Sequence, residues 1–526
     1  MKKRYIFYPL FLGLFMAAGI LLGHYLSYNG MDNSLMATTS VQKRKLNRLI
    51  DIIDQRYVDE VNTDSIVDVT VNDILGNLDP HSVYIPNDQA ADAATDLRGN
   101  FVGIGIRYFV NQDTISVLST IKDGPSREAG IKSGDKILYL DGQPLFGEDK
   151  LSTDALKGEK GSEITLGVLQ PGFDEIINVP VTRGNVAIES IDAAYMLTDK
   201  LGYIKVNRFA ETTTEEFDVA IEKLKNEGAS EIAVDLRDNS GGVLSAALSM
   251  ADEFLREDQL ILFQKDRENQ RKNSYASSDG DFEDKQVYIL INENSASASE
   301  IVAGALQDND KGTIIGRRSF GKGLVQQEMQ LGDGSAVRIT VARYYTPTGR
   351  SIQRPYDTGN EDYYNEYIER FENGEMQDEN NIEVNDSLKF TTPAGKVVYG
   401  GGGIIPDVFV PAPSSFAEQT LEYFARTGYA DRIANDFLQN EGKDLRKLPK
   451  NEFIENYKIP RSLIDEFMAS ARRNQRSLRL NKYRDYLALL LKASLAEQLY
   501  GTDVKIMMLN SQDTMILKLK ELSAAN

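Results

Sequence analysis

Apolar residues follow different spacings along the chain, and each spacing predicts a different kind of structure. Over residues 38–78 they recur at helical intervals, which predicts a helical N-terminal region spanning residues 31–97. Between residues 98 and 182, short apolar runs separated by Gly, Pro and Asp predict a domain of β-strands. From residue 414 to residue 526 helical spacing returns and predicts a C-terminal helical extension.

The segment between these regions, residues 183–413, alternates strand and helix. The runs "EIAVDLR", "VYILIN" and "TIIG" have the continuous apolar character of buried strands. The intervening runs "VLSAALSMADEFL" and "SASEIVAGALQDND" have helical character. This βαβαβ order predicts a parallel sheet, and active sites in such sheets lie beyond the carboxyl ends of the strands. The polar loops "DNSGG" and "NENSASAS" are expected at that edge.

Three further segments complete the pattern. The run "GLVQQEMQLGDGSAVRITVARYYTP" predicts two strands around a Gly-Asp-Gly turn. The acidic, tyrosine-rich segment 356–390 is expected to be a solvated insertion with no chemical role. The turn "LDPHS" contains His81, which is a candidate base but is more typical of a hydrogen-bonding turn residue.

The N-terminus has the pattern of an export signal. Residues 2–4 are basic, and residues 5–26 are almost entirely apolar and long enough to span a bilayer. We therefore expect residues 1–30 to be an uncleaved membrane anchor with its basic end inside, a cleaved signal being the alternative.

Composition narrows the possible chemistry. The net charge of −20 argues against nucleic-acid binding, which requires a basic face. The chain has no cysteine and only two histidines, His24 and His81. Disulfides, thiolate nucleophiles and Cys- or His-built metal sites are therefore excluded, and no metal or cofactor is expected.

A serine nucleophile remains possible if a neutral lysine serves as its base, because burial lowers the pKa of a lysine amine. Lys322 lies between two glycines in "SFGKGLVQQ", and Gln326 on the strand that follows is placed to orient its amine. At the predicted helix start, Ser295, Ser297 and Ser299 all compete for the role of nucleophile, and any of them could simply cap the helix.

Residues 98–182 resemble a PDZ domain, through the "GIG" loop that enters a strand and through "AGIKSGDKILYLDG". PDZ domains hold the C-terminal carboxylate of a peptide on loop N–H groups while the peptide adds to a sheet edge. The resemblance implies that Gly103, Ile104 and Gly105 supply those groups. The alternative is that the glycines only permit tight turns.

The motifs "DLRDNSGG", "SASASEIVAGALQD", "FGKGLVQ", "ARYYTPTGRSI" and "GGIIPDV", in this order, resemble the carboxyl-terminal processing, or tail-specific, serine proteases. The resemblance implies a ClpP/crotonase-like α/β protease core, with the PDZ domain inserted beside it and helical regions at both ends. It also implies that Ser297 is the nucleophile, Lys322 its base and Gln326 the support of the lysine.

In the same family the oxyanion is held by backbone N–H groups. The resemblance assigns these to Ala298 and to either Gly241 or Gly242. The expected protein is a serine endopeptidase of the bacterial cell envelope, on the periplasmic side of the inner membrane. Its expected substrates are exported polypeptides bound by their C-terminal tails. The alternative is a catalytically silent or partner-gated PDZ adaptor, and the C-terminal helices are candidates for binding a second copy or an adaptor protein.

Overall fold

The computed structural model describes residues 41–111, 114–145, 153–474 and 480–525, together with the single position Met16. The chain forms two compact units, residues 1–74 and 75–526. The first contains helix α1 (Val41–Arg56) and the beginning of helix α2 (Thr63–Gly76).

The described part of the chain contains no helix that is both long and apolar enough to cross a bilayer. The predicted anchor at residues 5–26 lies outside the described residues except for Met16.

The second unit begins with a short strand and a helix and continues into a β-domain. The elements are β1 (Val83–Ile85), α3 (Asn87–Arg98), β2 (Asn100–Gly103), β3 (Ile106–Asn111), β4 (Thr114–Thr120), α4 (Pro125–Glu128), β5 (Lys136–Leu140), β6 (Gln143–Pro144), β7 (Glu163–Leu169), β8 (Ile176–Thr182) and β9 (Gly184–Ala187). Strands β3-β4-β5-β7-β8 form an antiparallel sheet in that order, with β6 on β5. Apolar side chains from this sheet form a separate core. Strand β9 pairs with β2 and returns the chain to the rest of the unit.

The next region contains the alternating elements that the sequence predicted. In chain order they are β10 (Ile191–Met196), β11 (Leu201–Val206), α5 (Thr213–Asn226), β12 (Glu231–Asp235), α6 (Leu244–Asp252), β13 (Leu260–Asp266), β14 (Arg271–Tyr275), β15 (Gln286–Ile291), α7 (Ala298–Asp308), β16 (Gly312–Gly316), β17 (Leu324–Gln330), β18 (Ala336–Tyr345), α8 (Asn360–Glu372), β19 (Lys389–Thr391), β20 (Val397–Tyr399) and β21 (Val408–Phe409).

The central sheet has the strand order β10-β11-β12-β15-β16-β21. Its strands are parallel except at β10, which pairs antiparallel with β11. Helices α5, α6 and α7 cover one face of this sheet through the largest apolar cluster. A second sheet has the order β1-β18-β13-β14, with β17 on β18, so the predicted pair of strands around the Gly-Asp-Gly turn is present. Strand β1, which lies in the region predicted to be helical, joins the same sheet.

Helices make up the rest of the chain. They are α9 (Phe416–Arg426), α10 (Tyr429–Gln439), α11 (Lys450–Asn456), α12 (Arg461–Asn474), α13 (Arg484–Tyr500), α14 (Thr502–Leu509) and α15 (Thr514–Ala525). Helices α9 to α14 contribute to two apolar clusters of their own. Helix α15 instead covers the second face of the central sheet through Met515, Ile516 and Leu519. The central sheet is therefore enclosed by helices on both faces.

The segment 356–390 differs from the expected solvated insertion. Its helix α8 buries Tyr363 and Arg370, and Glu375 just after the helix is 2% exposed. Each of these polar groups has a partner in the core, and those pairings compensate the loss of hydration that makes acidic segments prefer solvent.

Candidate active site

Ser297 lies at the carboxyl edge of the central sheet, between strand β15 and helix α7. Its backbone has φ 55° and ψ −111°, a conformation that costs a non-glycine residue about 1–3 kcal/mol and is concentrated at functional sites. Its N–H donates to Glu300 Oε2 at 2.8 Å. The strained turn directs a partly exposed serine side chain into a cavity at the start of the helix.

The two competing serines have different surroundings. Ser295 and Ser299 are 0% exposed. The Ser295 hydroxyl donates to the Leu236 carbonyl at 2.8 Å, and the Ser299 hydroxyl donates to the Asn239 carbonyl at 2.9 Å. Both hydroxyls hold residues 292–297, the serine loop, against residues 236–243, the glycine loop. Only Ser297 of the three serines is therefore open to a substrate.

Lys322 lines the same cavity from the loop that precedes β17. Its amine donates to Gln326 Oε1 at 2.9 Å. Burial lowers the pKa of the Lys322 amine, and the positive charge of Arg338 lowers it further. Both effects favour the neutral amine, which is the form that can accept a proton.

The turn that contains His81 holds the Gln326 side chain. The Gln326 side-chain amide donates to the His81 carbonyl, and Asp79 Oδ1 accepts the His81 N–H at 2.8 Å. The imidazole itself bonds through Nε2 to the Tyr363 hydroxyl at 2.8 Å. Burial, and then the charge of Lys322, lower the pKa of His81 to about 4. His81 thus has the hydrogen-bonding turn position that the sequence favoured over the role of base.

Glu300 connects the serine loop to residues 317–323, the lysine loop. Its two oxygens accept from the N–H groups of Ser297, Gly321 and Lys322 at 2.7–2.8 Å and from the Ser319 hydroxyl at 2.6 Å. An ionised carboxylate satisfies all four donors. Burial raises the pKa of the Glu300 carboxyl, and these hydrogen bonds oppose that rise.

Tyr344 makes a second connection between the two loops. Its buried hydroxyl lies 2.7 Å from the Lys322 carbonyl and 3.2 Å from the Ser297 carbonyl. Burial raises the pKa of Tyr344 well above its usual range, so the hydroxyl keeps its proton and can donate.

The glycine loop packs directly against the serine. A Cβ on Gly241 would lie 2.8 Å from Ser297 Cβ and 2.9 Å from the Ala298 nitrogen. The Gly241 N–H already donates to Asn239 Oδ1 at 2.9 Å. The N–H groups of Gly242 and Ala298 have no hydrogen-bond acceptor among the described residues. Gly242 is therefore better placed than Gly241 to pair with Ala298 as a donor to an anion.

These groups surround one cavity of about 660 Å³, which Ser297, Ala298, Gly242, Lys322 and Gln326 all line. Within the described part of the chain, no hydrogen bond joins the Ser297 hydroxyl to the Lys322 amine. The cavity thus brings together a strained serine, a half-buried lysine and two N–H groups without an acceptor among the described residues.

Comparisons with known proteins identify relatives of this chain. Residues 200–359 match the model of peptidase family S41, and residues 102–181 match a PDZ domain. A carboxy-terminal-processing protease of Bartonella bacilliformis is 33% identical over 359 residues, which are 67% of this chain and 81% of that protein. The chain belongs to the carboxy-terminal processing protease family.

Other processing proteases are also similar. The carboxy-terminal processing protease CtpB of Bacillus subtilis is 30% identical over 318 residues, 59% of this chain and 65% of that protein. A solved photosystem II D1 C-terminal processing protease is 23% identical, covers 71% of this chain and 94% of its own, and has a TM-score of 0.36. Residues 420–501 match a family of unknown function, DUF8443.

Membership of the family confirms the predicted enzyme class. The chain is a serine-type processing peptidase with a PDZ domain, an α/β peptidase core and a helical C-terminal region.

The predicted peptide-binding loop of this processing protease lies at the entrance to strand β3. Gly103 ends β2, Ile104 is buried, and Gly105 turns the chain with φ +73°. The single run "FVGIGIRYFV" therefore forms two strands, because this turn interrupts it. Among the described strands β3 pairs only with β4, so no described strand pairs with its other edge.

Sequence reasoning missed the two groups that connect the serine and lysine loops of the processing protease. The sequence indicates no role for Glu300 beyond its place at the predicted helix start, and Tyr344 lies within the quoted motif "ARYYTPTGRSI" without an assigned role. The motif was the available signal for Tyr344. The role of Glu300 depends on the Ser319–Lys322 loop packing against helix α7, which the spacing of residues does not reveal.

Proposed function

We propose that Ser297 and Lys322 form the catalytic dyad of this peptidase and that Gln326 orients the lysine amine. The observation that carries the proposal is the shared cavity, in which the only accessible serine of its loop faces a lysine whose burial favours the neutral amine. A neutral lysine is a competent base for a serine hydroxyl.

In this mechanism the Lys322 amine takes the proton of the Ser297 hydroxyl as the serine oxygen bonds to the carbonyl carbon of the scissile peptide. The resulting oxyanion accepts hydrogen bonds from the Ala298 and Gly242 N–H groups. The C–N bond then breaks, the leaving amine receives the proton from Lys322, and water hydrolyses the acyl-enzyme with Lys322 again as base.

We further propose that the substrates are exported polypeptides whose C-terminal tails bind beside β3, with the tail carboxylate at residues 103–105. The unpaired edge of β3 directly after this loop supports that mode of binding. The long apolar segment 5–26 supports a membrane anchor that leaves the peptidase on the periplasmic side of the inner membrane of a bacterial cell. Recovery of the full-length protein in the soluble fraction of lysed cells would contradict the anchor.

The test uses the full-length chain and two versions of one unfolded protein, ending in apolar or in charged residues. The parent enzyme should cleave the apolar-tailed version faster. Ser297→Ala and Lys322→Met should each lower kcat/KM by roughly 10⁴-fold, since members of a catalytic unit are lost together. Equal rates of cleavage for the two versions would contradict recognition of the C-terminal tail. Full activity of Lys322→Met would remove the dyad.

The second candidate function is a partner-gated protease or a silent PDZ adaptor. Two observations favour gating: the Ser297 hydroxyl and the Lys322 amine are not hydrogen-bonded to each other, and the helical extension holds the PDZ edge strand through Arg107. Arg107 pairs with Glu497 at 2.7 Å and donates to Thr502 at 2.8 Å. If the parent binds the apolar tail without cleaving it until another protein is added, the gated function replaces the constitutive one.

A further inference from the structure

Helix α8, from the segment that the sequence predicted to be solvated, is bonded to the turn around His81. The Tyr363 hydroxyl lies 2.8 Å from His81 Nε2, and the Tyr364 hydroxyl donates to the Pro80 carbonyl at 2.7 Å. At the start of the helix, Asn360 Nδ2 donates to the Gly76 carbonyl at 2.9 Å. Helix α8 therefore holds Pro80 and His81 of this turn and also the last residue of helix α2.

The same turn supports the lysine. The His81 carbonyl accepts the side-chain amide of Gln326, and the Gln326 carbonyl oxygen accepts the Lys322 amine at 2.9 Å. A continuous chain of contacts thus runs from Tyr363 through His81 and Gln326 to Lys322. By accepting the amide nitrogen, the His81 carbonyl favours the amide orientation in which the oxygen faces the lysine.

The surroundings of Tyr363 keep its hydroxyl in one position. The side chain is 2% exposed, and the Arg354 guanidinium lies 3.8 Å from the centre of its ring and 4.0 Å from that of Phe320. Arg354 is itself paired with Glu366 of α8 at 2.8 Å. Burial raises the pKa of Tyr363, and His81 is neutral near pH 7, so a protonated hydroxyl faces a neutral imidazole.

We propose that Tyr363 is a positioning residue for the base: its hydroxyl holds the His81 turn against Gln326, and Gln326 directs the Lys322 amine toward Ser297. This inference rests on the proposed function, because it matters for catalysis only if Lys322 is the base. It gives helix α8 a role in the chemistry although none of its side chains lines the active-site cavity.

The experiment compares Tyr363→Phe with the parent as full-length enzymes. The substitution removes one hydroxyl and keeps the stacked ring, so the thermal midpoint should change little. Loss of one hydrogen bond in the positioning chain should lower kcat roughly three- to tenfold and leave KM unchanged. Tyr367→Phe is the matched control, since that half-exposed hydroxyl on the same helix has no hydrogen-bond partner among the described residues.

A second pair of variants tests the partner of the tyrosine. His81→Ala keeps the backbone carbonyl but removes the group that Tyr363 holds, and should lose as much kcat as Tyr363→Phe. His81→Gln offers an amide at the position of Nε2 and should recover part of the loss. Because both changes break the same contact, Tyr363→Phe combined with His81→Ala should cost no more than about twofold beyond either one.

The outcomes separate this inference from the proposed function. If Lys322→Met is inactive while Tyr363→Phe has the kcat of the parent, the positioning role is wrong and the dyad stands. If Lys322→Met is fully active, the dyad is wrong and the inference falls with it. A Tyr363→Phe enzyme with a lower thermal midpoint and with changes in both kcat and KM would show a purely structural role. The same conclusion would follow if Tyr367→Phe lost as much kcat as Tyr363→Phe.

Discussion

The loops that carry Ser297 and Lys322 are held in place by different parts of the chain. The serine loop is fixed from within the central sheet, through the Leu236 and Asn239 carbonyls and the start of helix α7. The lysine loop is fixed from outside, because Arg370 of helix α8 donates to the carbonyls of Arg318 at 2.7 Å and Ser319 at 3.3 Å.

The difference shows how one active site combines local and distant support. Ser297, the proposed nucleophile, depends on a strand, a turn and a helix that follow one another in the sequence. Lys322, the proposed base, depends on a helix that follows the next two strands of the chain and is held by buried ion pairs. Glu300 connects the two systems, since it accepts hydrogen bonds from both loops. Because the serine loop also keeps its own hydrogen bonds to the Leu236 and Asn239 carbonyls, disturbing α8 should impair the lysine loop more than the serine loop.

The largest effect on stability is expected from Glu375→Ala. Glu375 accepts from both Arg318 and Arg370, at 2.7–2.9 Å, and all three side chains are almost fully buried. Removing the carboxylate leaves two buried guanidinium groups close together, which should lower the free energy of unfolding by about 3–5 kcal/mol. Chemical denaturation measures the loss. We also expect kcat/KM to fall by about tenfold or more, because the lysine loop loses its support.

The control for this prediction is Asp444→Ala, which removes a fully exposed partner of Lys447 and should leave both measurements unchanged. In folded Glu375→Ala protein, amide hydrogen exchange should become faster in residues 317–323 and stay unchanged in residues 292–297. If exchange becomes equally faster in both segments, the two loops are not held independently.

The sequence predicts the serine side of this comparison better than the lysine side. The βαβαβ order placed "DNSGG" and "NENSASAS" at one edge of a parallel sheet, and the structure has them there. The sequence predicted the support of Lys322 by Gln326 but not the support of its loop by helix α8, because Tyr363, Arg370 and Glu375 lie in a segment whose acidic composition indicates solvation. Their burial depends on contacts with Arg318 and Arg354, which lie outside that segment and carry no sequence signal that links them to it.

An intermediate effect on catalysis is expected from replacing Arg338, whose charge affects the pKa of Lys322 rather than its position. Its charge lowers the pKa of Lys322, second to burial. Removing that charge in Arg338→Gln should raise the pKa of the lysine toward its ordinary value. Because the proposed base is the neutral amine, the rise of activity with pH should move to higher pH, measured as initial rates from about pH 6 to about pH 10.

The matched variant is Glu328→Gln, since Glu328 pairs with Arg338 at 3.1 Å and offsets its charge. Removing the carboxylate should move the same profile to lower pH. A profile that shifts in the same direction in both variants would mean that Arg338 acts on the lysine through packing and not through charge.

The smallest effect on catalysis is expected from Ser295→Ala and Ser299→Ala, the neighbours of the nucleophile. Each change leaves a buried carbonyl without its hydroxyl donor, and Ser295→Ala also leaves the Asn292 N–H without its acceptor at 2.9 Å. The free energy of unfolding should therefore fall by about 1–3 kcal/mol. Neither hydroxyl reaches the cavity, so kcat/KM should fall by less than about tenfold, whereas Ser297→Ala should be inactive. If Ser299→Ala is folded but inactive while Ser297→Ala is active, Ser299 and not Ser297 is the nucleophile. Because Ser299 is buried, the start of helix α7 would then have to open during catalysis.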